Sequence, residues 1–401
     1  MKRDGYSWWK HRLISASQYY GAYRLDHILG FFRIWAVPET DTTAYLGHAE
    51  PYVGITKEVL HNAGFDDGRI NWLSKPHIPT YSVEEITHNH DSTIAILSKL
   101  CDRIGNEELW IFKKKIHGIQ SILKECPEEL QEFFCNKWND RCLIEVKKDT
   151  YVPSWCYGNT SSWKSLYPNE QDTLCHLFAD NRNKQEVLWQ DHAFDILSKL
   201  TKSVPMQPCG EDLGVSLSGV PKVLNDTGIL GLRVVRWNRI WEEPGQPFIP
   251  FENYTPLSLT TTSVHDSTTI RQWWNNEKDG VIHFIAAFDA DVKTTQNVEG
   301  IYKQATQIAN TSFTPQVAKK ILMCSAHTAS VWYVNPLQDY LFMEKKYWRK
   351  HEEDERINIP GTVTEFNWTY RLPATIESIL KNNKLIDNMR DIVKCHDQRG
   401  E

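Results

Sequence analysis

The sequence predicts an α/β protein built on a parallel sheet, and three observations predict it. Segments with helical period alternate with strand-like segments, most regularly in the second half of the chain. The strand-like segments are short, apolar and rich in β-branched residues, as strands covered on both faces are. The stretches between them are long enough to hold a helix, which parallel neighbours require.

The elements follow in order. Residues 4–20 read as a helix, because Trp9, Leu13, Ala16 and Tyr20 repeat at i, i+4, i+7 and i+11. Gly21 ends it, and Ala22–Leu25, too short for a helix, reads as a strand. Residues 40–80 are loop-rich, with Pro51, Gly54, Gly64 and Gly68. Ser82 and Glu85 have capping-box spacing ahead of the helical stretch ITHNHDSTIAILSKL. A further helix is expected from Glu107 to Glu125, and another after Pro127. Residues 150–182 are irregular and aromatic. Alternation resumes at 183, with Trp189, Ala193, Ile196, Leu197 and Leu200 on one helical face. Strands are then expected ahead of Glu211, at 231–237 (GLRVVRW), 258–264 (SLTTTSV) and 330–334 (SVWYV), with a helix at about 315–327. Pro205 and Pro208 sit awkwardly in the first of these, since proline removes a ladder donor. The expected division is 1–39, a helical and loop insertion over 40–182, and 183–401.

At 401 residues the chain can bury a large core. A net charge of −6 argues against nucleic acid as a partner. There is no apolar run of the roughly 18 residues that a membrane span needs, and MKRDGYSWWK has no apolar stretch behind its charges, so no signal peptide is read there. Nine cysteines without C-x-x-C spacing suit reduced thiols in a cytoplasm. Sixteen tryptophans stand out; most belong to a core or an ordinary surface.

Chemistry is suggested by three carboxylates at three strand exits: Asp26 in YRLDH, Glu211 in GEDLGV and Asp266 in SVHDSTT. Parallel strands bring their C-terminal ends to one edge, where carboxylates from distant positions converge. Arg24, two residues before Asp26, lies on the same strand face and favours its anion. A loop aspartate merely paired with Arg24 is the alternative.

Together DGYSWWKHRL…AYRLDHILGFFRIWAVP, GEDLGV, TTSVHDSTT and ERINIPGTVTEFNWTYRLP resemble the 4-α-glucanotransferases, the amylomaltase or disproportionating enzyme family of the α-amylase clan. The resemblance runs from residue 4 to about 380. The long stretch between Asp26 and Glu211 is similar to the plant cytosolic disproportionating type, which carries an insertion there. The resemblance implies a partial (β/α)8 TIM barrel, about strands 4 to 8, in a chain lacking the first three strands and the family's starch-binding modules. It implies transfer of α-1,4-glucan segments or glucosyl units onto glucan, maltose or glucose acceptors by retaining double displacement, with no cofactor or metal. An amylase-like hydrolase and an inactive remnant or glucan-binding subunit are the alternatives.

Carried over by position, Asp26 matches the nucleophile, Glu211 the general acid/base and Asp266 the transition-state stabiliser. Arg24 matches the arginine beside the nucleophile, His265 a sugar-binding histidine, and His27 follows the nucleophile as in the family pattern. Asp212 is a candidate substrate contact or a structural residue. Asn358, Asn367 and Trp368 fall in a block resembling a loop near the active site, as substrate contacts or loop structure. Trp155 and Trp163 either line a glucan path or anchor the insertion. His88 and His90, two apart, do not share a helix face and so read as solvated, not as metal ligands. GVSLSG lacks the glycine after its serine that a nucleophile elbow needs.

Overall fold

The structure, a computed structural model, describes residues 2–214, 217–294 and 297–397. Val215 and Ser216 of GEDLGV and GVSLSG lie outside them. The chain forms two compact units, one of 1–28, 198–215 and 224–401, the other of 29–197 and 216–223. No helix among the described residues is long and apolar enough to cross a membrane.

The first unit is built on one parallel sheet. Its strands are β1 (Ala22–Leu25), β2 (Gln207–Gly210), β3 (Leu230–Val234), β4 (Ser258–Thr261) and β5 (Trp332–Tyr333), hydrogen-bonded in that order. The expected α/β class with a parallel sheet is therefore present. Alternation sends Leu230, Leu232, Leu259 and Thr261 to one face, which bounds a hollow of about 530 Å³. Ser258 and Thr260 point the other way and are wholly buried. There Ser258 and Thr260 hydroxyls bond to Ser330 and Thr328 at 2.5–2.9 Å, so no hydroxyl in this row is left dry and unpaired. A helical core built on Trp273, Phe284, Ile321, Leu322, Leu341 and Leu385 completes the unit.

Pro208 lies inside β2 without breaking it. The amides of Gln207 and Glu211 donate towards β1, to Gly21 and Leu25 oxygens, both at 2.9 Å. Alternation then aims the missing Pro208 donor towards β3, where pairing begins only at Cys209. Three strands are shorter than expected, the one at 330–334 being Trp332–Tyr333 alone. Val235–Trp237 turns into a 3-10 helix. β4 stops at Thr261, because the Thr262 amide and hydroxyl and the Ser263 hydroxyl bond to Asn335 and Asp339 side chains instead. The first helix is Ser7–Ser17, entered through Gly5 and Tyr6 in left-handed conformation. Pro315–Ser325 is helical with Thr314 as its N-cap.

The second unit is less helical than expected. It holds the antiparallel pair Ile34–Ala36 with His48–Glu50 and two three-stranded antiparallel sheets. The helix expected over Glu107–Glu125 is the strand Leu109–Phe112 followed by the helix Ile119–Glu125. A short apolar run such as LWIF does not distinguish strand from helix by period. Ser82 caps nothing; its hydroxyl bonds to the Pro79 oxygen within the helix Thr80–Thr87. The real N-cap is Asn89, accepting from the Ser92 amide at 2.9 Å. His88 takes a left-handed helix-ending conformation and His90 pairs with Glu84. The division at 182/183 falls inside the single helix Pro168–Thr201, so nothing local marks that position.

Candidate active site

The site grows from the C-terminal edge of the parallel sheet. β1 and β2 are in register from Ala22–Gln207 to Leu25–Gly210, so Asp26 and Glu211 are the next pair beyond the strand ends. The ladder continues through them: the Glu211 amide donates to Leu25 oxygen at 2.9 Å, and the Ile28 amide to Glu211 oxygen at 3.0 Å. Neighbouring strands lie about 4.8 Å apart, so the two residues stand side by side.

Arg24 Nη2 donates to Asp26 Oδ1 at 2.7 Å, a charge-assisted hydrogen bond made from the same strand face. The Asp26 side chain is nonetheless 76% exposed, leaving its other oxygen open. His27 contributes its backbone. Its amide donates to Glu211 Oε2 at 2.9 Å, with φ at 45°, and the Leu213 amide donates to Glu211 Oε1 at 3.2 Å. Two amides thus fix the Glu211 carboxyl beside the turn that follows Asp26.

Asp266 follows β4 on an anchored loop. The buried Asp339 carboxylate accepts from the Thr262 and Ser263 hydroxyls, each at 2.6 Å, immediately before it. From the chain after 355, Asn358 Nδ2 donates to Asp266 Oδ1 at 2.6 Å and Arg356 to the Asp266 backbone oxygen at 3.4 Å. His265 lies with Nε2 at 3.3 Å from Asp266 Oδ2, and its ring is 5.2 Å from that of Trp368. Trp368 is 63% exposed and left-handed, with φ at 66°. A bulky residue held there is strained, as residues at working sites often are. Asn367 latches this loop, accepting from the Ile359 amide at 3.1 Å and donating to the Thr362 oxygen at 3.0 Å.

A family model of 4-alpha-glucanotransferases matches residues 1–376. The chain belongs to that family. A 4-alpha-glucanotransferase DPE2 of Oryza sativa subsp. japonica is 29% identical over 98% of this chain and 41% of its own length. A 4-alpha-glucanotransferase of Chlamydia muridarum is 34% identical over 49% of this chain and 34% of its own. This chain therefore spans less than half the length of these curated relatives. Among solved structures, an amylomaltase from Streptococcus agalactiae in complex with acarbose is similar at 19% identity, covering 51% of this chain and 34% of its own, with a TM-score of 0.34.

At this sheet edge the candidates separate into two kinds. Asp26, Glu211, His265, Asp266, Asn358 and Trp368 present side-chain atoms at the strand ends or on the adjoining loop. Asp212 does not. Its side chain is 7% exposed, its carboxylate takes Arg233 Nη1 at 2.9 Å and the Leu232 amide at 2.8 Å, and it braces β3. Asn367 likewise spends its amide inside the loop. Sequence reasoning missed Arg356, whose signal was its place in the ERINIP block, and Asp339, which no motif marked.

Proposed function

We propose that this protein carries the catalytic chemistry of a 4-α-glucanotransferase, acting on α-1,4-glucans by retaining double displacement. One observation carries the reading: Asp26 and Glu211 are successive members of the β1–β2 ladder at the sheet's C-terminal edge. Retaining glycosidases need two carboxyls about 5–5.5 Å apart, and adjacent parallel strands supply that spacing.

In the first step an Asp26 oxygen attacks C1 of the donor glucosyl unit. The C1–O4 bond breaks, and the leaving O4 takes the Glu211 proton. In the second, Glu211 takes the proton of an acceptor 4-hydroxyl, whose oxygen attacks C1 and releases Asp26. Asp266, oriented by Asn358, stabilises the positive charge that develops at the ring. Arg24 orients Asp26, and His265 with Trp368 forms the sugar-contacting rim.

The same reading takes the sheet as part of a (β/α)8 barrel, supported by five parallel strands in sequential order with carboxylates at one edge. It places the protein in the cytoplasm, supported by nine cysteines none of which forms a disulfide. The test is incubation of the purified chain with maltotriose. The reading expects glucose together with longer maltooligosaccharides, and suppression of net reducing-end release by added acceptor sugar has no place in it because transfer conserves reducing ends. Steadily rising reducing ends mean hydrolysis, and an inert chain contradicts the reading.

A further inference from the structure

The second unit holds a cleft of about 380 Å³, at the small end of the range for ligand pockets, about 300–1,000 Å³. It shares no residue with the carboxylate site. Tyr45 and Phe133 bring aromatic rings to its lining. Trp155 packs edge-on to Tyr45, with ring centroids 5.4 Å apart, and is itself 63% exposed. Trp163, by contrast, is packed against Tyr157 and Phe178 and serves as an anchor.

Polar groups line the cleft as well. Asn136, Asn139 and Asn159 supply amides, and Asp140 and Lys137 supply charge. Asn139 closes the helix Glu128–Asn139, and its Oδ1 is buried without a hydrogen-bond partner. A buried acceptor left unpaired is costly, so a ligand hydroxyl donating to it is favoured. Lys137 Nζ lies 3.5 Å from Asp140 Oδ2, while Asp140 Oδ1 accepts from the Ser161 amide at 2.7 Å. The two charges balance inside the cleft, which disfavours a phosphate, a cation or an acidic peptide.

A cleft whose two charges pair, lined by aromatic rings and amides, suits a ligand with an apolar face and a hydroxyl rim. A pyranose ring is such a ligand: its C–H face packs on an aromatic ring, and each amide offers both a donor and an acceptor to its hydroxyls. We propose that this cleft is a second sugar site, binding a neutral hexose chain between Tyr45, Trp155 and Asn139. The choice of an α-1,4-glucan as that chain rests on the function proposed above. A polymer held there remains on the protein between turnovers.

The test is calorimetric titration of the full chain with maltotriose in a Glu211→Gln background, where turnover is stopped. Tyr45→Ala, Asn139→Ala and Trp155→Ala are compared with it, with melting temperature as the control on folding. Trp155 is exposed enough to be truncated without loss of the fold, and Trp155→Tyr serves as the conservative variant. The expected result is loss of one binding site, or weakening of it by about tenfold or more as removal of a stacking or hydrogen-bonding group implies. Trp155→Tyr should restore much of it. Unchanged stoichiometry and affinity in all three variants, or no maltotriose binding at all, overturns the proposal. Its failure is separable from failure of the catalytic reading. Cleft-dependent binding without transfer by the unmutated chain leaves the sugar site standing, whereas transfer with unaltered binding in the variants leaves only the catalysis.

Discussion

At the scale of single residues, the Asp266 carboxylate owes its orientation to Asn358. Asn358→Ala removes that 2.6 Å charge-assisted bond and is expected to lower kcat about 10- to 100-fold, in line with hydrogen bonds to charged groups, with little change in melting temperature. Steady-state kinetics on maltotriose reads this. Trp368 offers the opposite combination. Because its left-handed backbone is strained and its ring mostly exposed, Trp368→Gly should leave stability unchanged or raise it by about 1 kcal/mol, while KM rises through lost stacking. Glu355, one residue before Arg356, is buried and accepts from Arg271 Nη1 at 2.8 Å and the Arg349 amide at 2.9 Å. Burial nevertheless pushes its carboxyl up from the ordinary 4.5 to about 6. The folded protein therefore holds this proton more tightly than the unfolded chain. Its stabilising contribution is complete below about 4.5 and lost as pH rises through about 6. Glu355→Gln should flatten the corresponding fall in melting temperature, measured by calorimetry across that interval.

At the scale of elements, the strand ends carry both the proposed chemistry and its bracing. Asp212→Ala strands Arg233 and the Leu232 amide on β3, and removing one partner of a largely buried ion pair costs about 3 kcal/mol or more. Urea denaturation should show this as a lowered midpoint. Gly231 belongs to the same brace, since a Cβ there meets Asp212 Oδ2 and Arg233 Nη2 at 2.8 Å. Much of this framework was legible in the sequence. YRLDH, GEDLGV and SVHDSTT each announced a carboxylate at a strand exit, and each stands at the end of β1, β2 or β4. What was not legible depends on partners distant in sequence. Asp212 and Glu211 are neighbours in the chain, and it is Arg233 and the Leu232 amide on β3 that hold the first inward. Pro208 looked disruptive until the pairing showed which side of β2 lacks a neighbour at that position.

For the molecule as a whole, the contrast between its two units explains where sequence reading succeeded. In the parallel unit Val220–Thr227 separates β2 from β3 and several helices separate β4 from β5, so period and composition agree there. The other unit has strands of the same two to five residues, but none carries a strand-exit carboxylate motif of the kind that marked β1, β2 and β4, and its sheets were read as helix and loop. The account's central claim is that Asp26 becomes covalently bound to the sugar while Glu211 manages the proton. It is tested most directly by treating the Glu211→Gln chain with α-maltosyl fluoride, whose leaving group needs no acid, and mapping the adduct by peptide mass spectrometry. The predicted result is a maltosyl ester on the peptide containing Asp26, absent when Asp26→Asn is added. An adduct on another residue, or none in any of these proteins, would contradict the account.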